Sequence, residues 1–209
     1  MISPLLANIY LNVLDRVWEK RGYTHPDGPN VQLVRYADDL VLMTNKDAQW
    51  AMARLGEILG RLELQLNIEK SRVVNAEIET FDFLGFTYRR TWNRQRTKRV
   101  ALFHPSRKAQ QLFRERVRGL VNSKTPVSLD AMIRRANLFL RGWVNYFRVG
   151  NSSQIFHTLG WFVEGRARRV LQRRAHRHGY GWARYDRAYL YQRLGLFGDY
   201  RVRWQPTRS

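Results

Sequence analysis

The sequence predicts an α+β fold in which antiparallel strands with packed helices are followed by an all-α bundle. Three observations lead there. Apolar residues recur at helical spacing in the longer segments and run through shorter, β-rich stretches between them. The charge divides sharply, since residues 1–90 hold 11 Lys+Arg against 12 Asp+Glu while residues 91–209 hold 26 against 5. With 44% apolar and 13% aromatic residues the chain has ample material for a core, so disorder is excluded as its general state.

Leu5 to Trp18 reads as a helix with Leu6, Ile9, Val13 and Val17 on one face, and Leu14 and Tyr10 beside it. Gly22 and His25-Pro26-Asp27-Gly28 break it. Val31 to Met43 is β-rich and interrupted by Tyr36-Ala37-Asp38-Asp39, which predicts a hairpin whose turn carries two carboxylates. Asp47 is a candidate N-cap for a helix running to about Leu64. Short strands are expected at Val73-Val74 and within Phe81–Tyr88. The stretch Arg89–Arg99 has no apolar period and reads as a basic linker or hairpin tip. The expected organisation is therefore one domain over residues 1–90, a basic linker or hairpin over 91–104, and a helical domain over 105–209. In the last of these, helices are expected at Ser106–Val121, Ser128–Arg148 and Ser153–Arg174, with a shorter one at Asp186–Leu194.

Several chemistries are excluded at once. Without cysteine there are no disulfides and no thiolate-bound zinc or iron–sulfur cluster, and a reducing compartment is permitted. No apolar run approaches the roughly 20 residues of a membrane span. Met1-Ile2-Ser3-Pro4 does not open like a signal peptide, so a soluble chain without a membrane partner is expected. The histidines lack metal-ligand spacing, and no zinc is expected.

The net charge of +20 points to a polyanionic partner. In the second half Arg far outnumbers Lys, and the guanidinium fork bridges phosphate oxygens and stacks on bases in ways an ammonium cannot. Structured RNA suits that chemistry. Candidate contacts are Arg134, Arg135, Arg141 and Arg148 on the middle helix, and Arg166, Arg168, Arg169, Arg173, Arg174 and Arg177 in the densest run. Trp143 and Trp161 read as core, whereas Trp92, Trp182 and Tyr180 are candidates for stacking on bases.

Adjacent carboxylates repel, so Asp38-Asp39 is either a solvated turn or a cation site. Mg²⁺, a hard ion that takes carboxylate oxygens, suits the second role. Here the sequence resembles the reverse transcriptases and maturases encoded by group II introns. Ile2-Ser3-Pro4-Leu5-Leu6-Ala7-Asn8-Ile9-Tyr10-Leu11-Asn12 is similar to the helix after that family's Pro-Gln-Gly motif, and Leu33–Met43 to its catalytic hairpin. Leu66-Asn67-Ile68-Glu69-Lys70-Ser71 is similar to the close of the next palm helix, and Phe83-Leu84-Gly85-Phe86 to the primer-gripping turn. Phe139–Phe147 and Leu194-Gly195-Leu196 are similar to the thumb, or maturase, domain. Four motifs in the family's order, followed by two from its thumb, extend the resemblance over nearly the whole chain.

The resemblance implies a partial polymerase palm followed by an all-α thumb that binds structured intron RNA, with DNA as a further primer or target partner. It makes Asp38 the principal metal ligand and Asp39 its neighbour, with Mg²⁺ as cofactor and Lys70 near the departing pyrophosphate. Tyr36 and Ala37 would lie by the incoming nucleotide and primer end, with Phe83, Leu84, Gly85 and Phe86 gripping the primer. In that family the fingers, the first palm strands and a further catalytic aspartate come before the part that Ile2 begins to match. The expectation is an incomplete two-metal site, RNA binding without self-sufficient polymerisation, and no endonuclease module. A split enzyme completed by another chain and a decayed mobile element are the rival readings. The family places such a chain in a bacterial cytosol or an organelle matrix. Retron, CRISPR-associated and diversity-generating reverse transcriptases share the Tyr-x-Asp-Asp turn, and the basic thumb favours the intron branch.

Overall fold

The computed structural model describes residues 3–203. The architecture is α+β, with two small antiparallel sheets and a helical region after the strands. Two compact units meet in sequence between Val74 and Asn75.

The first unit contains α1 (Ser3–Lys20), β1 (Val31–Tyr36), β2 (Asp39–Thr44) and α2 (Ala48–Arg61). The α1 sequence is apolar on more than one side, so its periodicity offers two stripes. The structure buries Leu11, Leu14 and Trp18, packs Val17 against them, and leaves Leu6, Ile9 and Val13 of the stripe read from sequence exposed. Trp18 decides between them. Its indole Nε1 donates to the Val31 carbonyl at 3.0 Å and its ring meets Tyr23 edge-on at 5.1 Å, tying this stripe to the hairpin. The Asp47 carboxylate caps α2 by accepting from the Gln49 and Trp50 amides, and Ala51, Leu55, Ile58 and Leu59 complete the core.

β1 and β2 pair from Val31↔Thr44 to Tyr36↔Asp39, leaving Ala37-Asp38 as a two-residue turn. Side chains alternate across a strand, so Val31, Leu33 and Arg35 face inward with Leu40 and Leu42, while Val34, Tyr36, Asp39 and Met43 face out. Val73 and Val74, expected as a strand, lie in an irregular segment.

The second unit opens with the sheet β3 (Phe81–Phe83), β4 (Phe86–Trp92) and β5 (Arg99–Pro105), ordered β3-β4-β5. The basic stretch Arg89–Arg99 forms the far end of the β4–β5 hairpin. Its tip is held by the Asn93 Oδ1, which accepts from the Thr97 amide at 2.8 Å, and Glu77 pairs with Arg90 and Arg99. The helices are α3 (Arg107–Leu120), α4 (Leu129–Phe147) and α5 (Ser153–Arg174), followed by a π-helical turn at Tyr189–Arg193. Ser106 and Ser128 cap α3 and α4 through their hydroxyls. Among the described residues, no helix is long and apolar enough to cross a membrane.

Phe113, Val117, Met132, Ile133, Leu140, Leu159 and Val163 form the bundle core, to which Leu190 and Leu196 of the C-terminal segment add. A second cluster, Phe86, Val144, Phe147 and Phe156, fastens the sheet to α4 and α5. Where β5 passes the α4–α5 turn the backbones nearly touch. A Cβ at Gly150 would sit 2.6 Å from the Phe103 carbonyl oxygen, which already accepts from the Asn151 amide.

Leu140 is fully buried at the centre of the bundle. Leu140→Ala is expected to destabilise the second unit by about 2–5 kcal/mol, read as a lower urea midpoint with an unchanged slope.

Candidate nucleic-acid interface

The Tyr-Ala-Asp-Asp turn is held from beneath by a residue that the sequence reading did not single out. Arg35 lies on the inner face of β1, and its Nε donates to Asp15 at 3.1 Å while one terminal nitrogen reaches Asn8 and the Ala37 carbonyl, each at 2.9 Å. One guanidinium thus ties the turn's own backbone to α1. Hydrogen bonding to Asp15 raises the guanidinium pKa above its ordinary value, so the brace stays charged. Ala37 adopts φ +54°, the left-handed conformation that a two-residue hairpin turn demands. Tyr36, 65% exposed, lies directly across the strands from Asp39, and Asp38 projects from the turn, both carboxylates being exposed.

Asp38 and Asp39 supply hard oxygen donors suited to part of one Mg²⁺ shell. Among the described residues, no group of three His, Asp or Glu is arranged to hold a metal ion. Lys70 sits exposed on a turn closed by Asn67, with no hydrogen bond or ion pair to either aspartate among the described residues.

The Phe83–Phe86 turn belongs to the second unit. Leu84 (φ +49°) and Gly85 (φ +77°) form the two central positions of its hairpin. Its carbonyls are already engaged, since Leu84 accepts from the Tyr146 hydroxyl at 2.9 Å and Gly85 from the Ser106 amide at 2.8 Å. A Cβ at Gly85 would meet the Phe147 ring at 3.4 Å. Phe86 is core rather than surface, leaving Gly85 as the exposed point of the turn.

The ten arginines named from sequence divide into two sets. Arg168 is 2% exposed, with its guanidinium on Glu164 at 3.1 Å and on the Tyr185 carbonyl at 2.8 Å, under the Trp182 ring. Arg148 is tied to Asp199, Arg174 to the Val127 carbonyl and Arg166 to the Val121 carbonyl. These four hold the fold together. Arg135, Arg141, Arg169, Arg173 and Arg177 are exposed, as is Arg134, which pairs with Asp130. Sequence periodicity could not separate the sets, because α5 is buried on several sides and its charges lie on more than one.

Arg118, outside the expected set, joins the exposed one. It lies over the Phe162 ring at 5.5 Å, where α3 packs on α5. Burial and the neighbouring guanidiniums of Arg169, Arg173 and Arg118 push the Arg166 pKa below the ordinary arginine value, the mark of like charges gathered on one face. Glu164 was also missed, although its sequence signal was there: one carboxylate between apolar residues, four positions before an arginine. Trp161, expected in the core, is 53% exposed beside His157 and Arg187. Trp143 packs partly buried against both aromatic clusters of the second unit.

An exposed Tyr-Ala-Asp-Asp turn on one unit and an arginine face on the other suit a nucleic-acid-binding protein. Residues 1–88 match the family model of reverse transcriptase (RNA-dependent DNA polymerase), and residues 110–189 match that of the group II intron maturase-specific domain. No curated protein is similar enough to count as a match. The chain belongs to the group II intron reverse transcriptases and maturases, of which it carries the C-terminal part. Its maturase and reverse transcriptase domains imply binding to intron RNA and other nucleic-acid substrates.

The division of the arginines is measurable. Arg168→Gln is expected to destabilise the second unit by on the order of 3 kcal/mol, because it leaves Glu164 buried without its closest cation. Arg173→Gln is expected to stay within about 0.5 kcal/mol of the parent in the same urea titration.

Proposed function

We propose that this chain acts as a maturase: the arginine face of its helical domain grips folded intron RNA and stabilises the splicing-active shape. The carrying observation is the gathering of the exposed Arg118, Arg169 and Arg173 beside the part-buried Arg166 where α3 meets α5. No carboxylate is paired with any of the four among the described residues. Phosphates drawn onto that face lose their mutual repulsion where RNA helices approach, and counterions are released. The splicing chemistry belongs to the RNA. On this reading residues 1–90 are the later part of a polymerase palm, 91–104 a basic hairpin and 105–209 the RNA-binding thumb. The chain works in a bacterial cytosol or an organelle matrix.

Polymerisation is proposed to lie beyond residues 1–209 by themselves. Asp38 and Asp39 would hold a Mg²⁺ ion, which supplies charge neutralisation at a reacting phosphate when bound. A pair of ions needs a further donor at a fixed separation. Lys70 would face the pyrophosphate, with Tyr36 and Ala37 beneath the incoming nucleotide. The Phe83–Phe86 turn would steer a DNA primer, with Gly85 its point of closest approach.

Two measurements test this. Replacing Arg169 and Arg173 together by Gln is expected to weaken intron RNA binding and to lower the slope of log affinity against log salt by about two. An unchanged slope would remove that face from the interface. The purified chain, given a primed RNA template, dNTPs and Mg²⁺, is expected not to extend the primer, and robust extension would overturn that part of the proposal.

The intact brace from Arg35 favours a second reading, a split polymerase completed by another chain, because a turn with no use has no reason to stay organised. It predicts extension only on co-expression with a second chain that supplies fingers and the first palm strands, and loss of that extension with Asp38→Ala.

A further inference from the structure

We propose that the groove between α3 and α4 receives an unpaired RNA base, adding a stacking site to the phosphate-binding arginine face. This rests on the reading that the chain binds RNA, and it names the part of the RNA that one surface selects. The groove has a volume of about 610 Å³, within the range of roughly 300–1,000 Å³ typical of binding clefts. Its floor is aromatic: Phe113 is buried, with Phe139 centred 5.5 Å and Trp143 4.6 Å from it, both tilted against its ring. Leu112 closes one wall and is 55% exposed, a large apolar side chain left facing water.

The rim tells which occupant suits it. Arg116 and Glu115 line the edge, and Glu115 already accepts from the Gln111 side-chain amide at 2.9 Å. One helical turn before Leu112 stands Lys108, and one turn before Phe139 stands Arg135, both exposed. An aromatic floor edged by Arg116, with the exposed Lys108 and Arg135 one helical turn away along α3 and α4, matches a flat, uncharged base whose flanking phosphates lie outside the groove. RNA proteins take splayed bases onto aromatic rings in this way, whereas a paired base inside a duplex cannot enter. An apolar protein helix would fill the floor but leave the basic rim unanswered.

Binding of two probes to the full chain separates the alternatives: a short oligouridine, and an RNA duplex carrying the same number of phosphates. Leu112→Glu is expected to weaken oligouridine binding by about tenfold, one stacked base's worth. Leu138→Glu introduces the same charge at an exposed leucine outside the groove, 74% exposed, and is expected to lower affinity for both probes equally and slightly. Leu112→Ser, which adds no charge, is expected to reproduce the selective loss in smaller measure, and thermal melts of all three variants should match the parent. Equal effects of Leu112→Glu and Leu138→Glu on both probes would overturn the groove assignment while leaving RNA binding intact. Failure of the parent to bind either probe would instead sink the proposed function, and the groove with it. A parent dimer that Leu112→Glu converts to monomer in sedimentation would assign the groove to a second copy of the chain and refute the base site.

Discussion

The second unit depends on how few carboxylates it has. Residues 91–209, the larger part of that unit, hold 26 Lys+Arg and 5 Asp+Glu, and each of these five acids is engaged by a group of the same chain. Asp130 pairs with Arg134, Asp199 joins Arg148 to Arg203, Asp186 accepts from the Tyr189 amide, and Glu115 holds Gln111. Glu164 does the most. Buried in mid-helix, it receives Arg168, Arg187 and the Tyr191 hydroxyl at 2.7 Å, and so fastens the C-terminal segment to α5. A lone buried carboxylate would be costly, and three donors converging on it remove that cost. Burial and the bond to Glu164 push the Tyr191 hydroxyl pKa well above the ordinary tyrosine value.

With these acids engaged, Arg118, Arg169 and Arg173 have no carboxylate partner among the described residues. That is the physical link from packing to function. The bundle satisfies its own interior charges with the arginines nearest its core, and it leaves Arg118, Arg169 and Arg173 exposed. A mixed-sign surface would serve solubility better, so the surplus is sensible only against a polyanion.

The first unit follows a different logic at the Asp38-Asp39 turn. Two exposed carboxylates cost little to keep, but a turn held in one shape requires work from its surroundings. Arg35 supplies it by linking the Ala37 carbonyl to Asp15 and Asn8 on α1. The pair is thus displayed in a defined geometry, with Tyr36 across from Asp39 on the outer face.

Local chemistry made most elements readable. Ser106, Ser128 and Asp47 announce helix starts, the Tyr36–Asp39 interruption announces a two-residue turn, and Leu84-Gly85 announces another, because caps and turns are decided by neighbours in sequence. The charge asymmetry and the family motifs were equally legible. Tertiary structure alone chose which stripe of α1 is buried, since two apolar faces compete until Trp18 finds the Val31 carbonyl. It alone left Val73-Val74 without a ladder partner and brought Trp161 to the surface. It alone sorted the arginines, because a guanidinium's role depends on whether Glu164 or a distant carbonyl lies within reach. By itself, then, the sequence determined that this protein is an α+β, RNA-directed member of its family with an Asp-Asp turn. The packing of α3, α4 and α5 decided which of its charges support the fold and which stay exposed, because burial is a property of the assembled core.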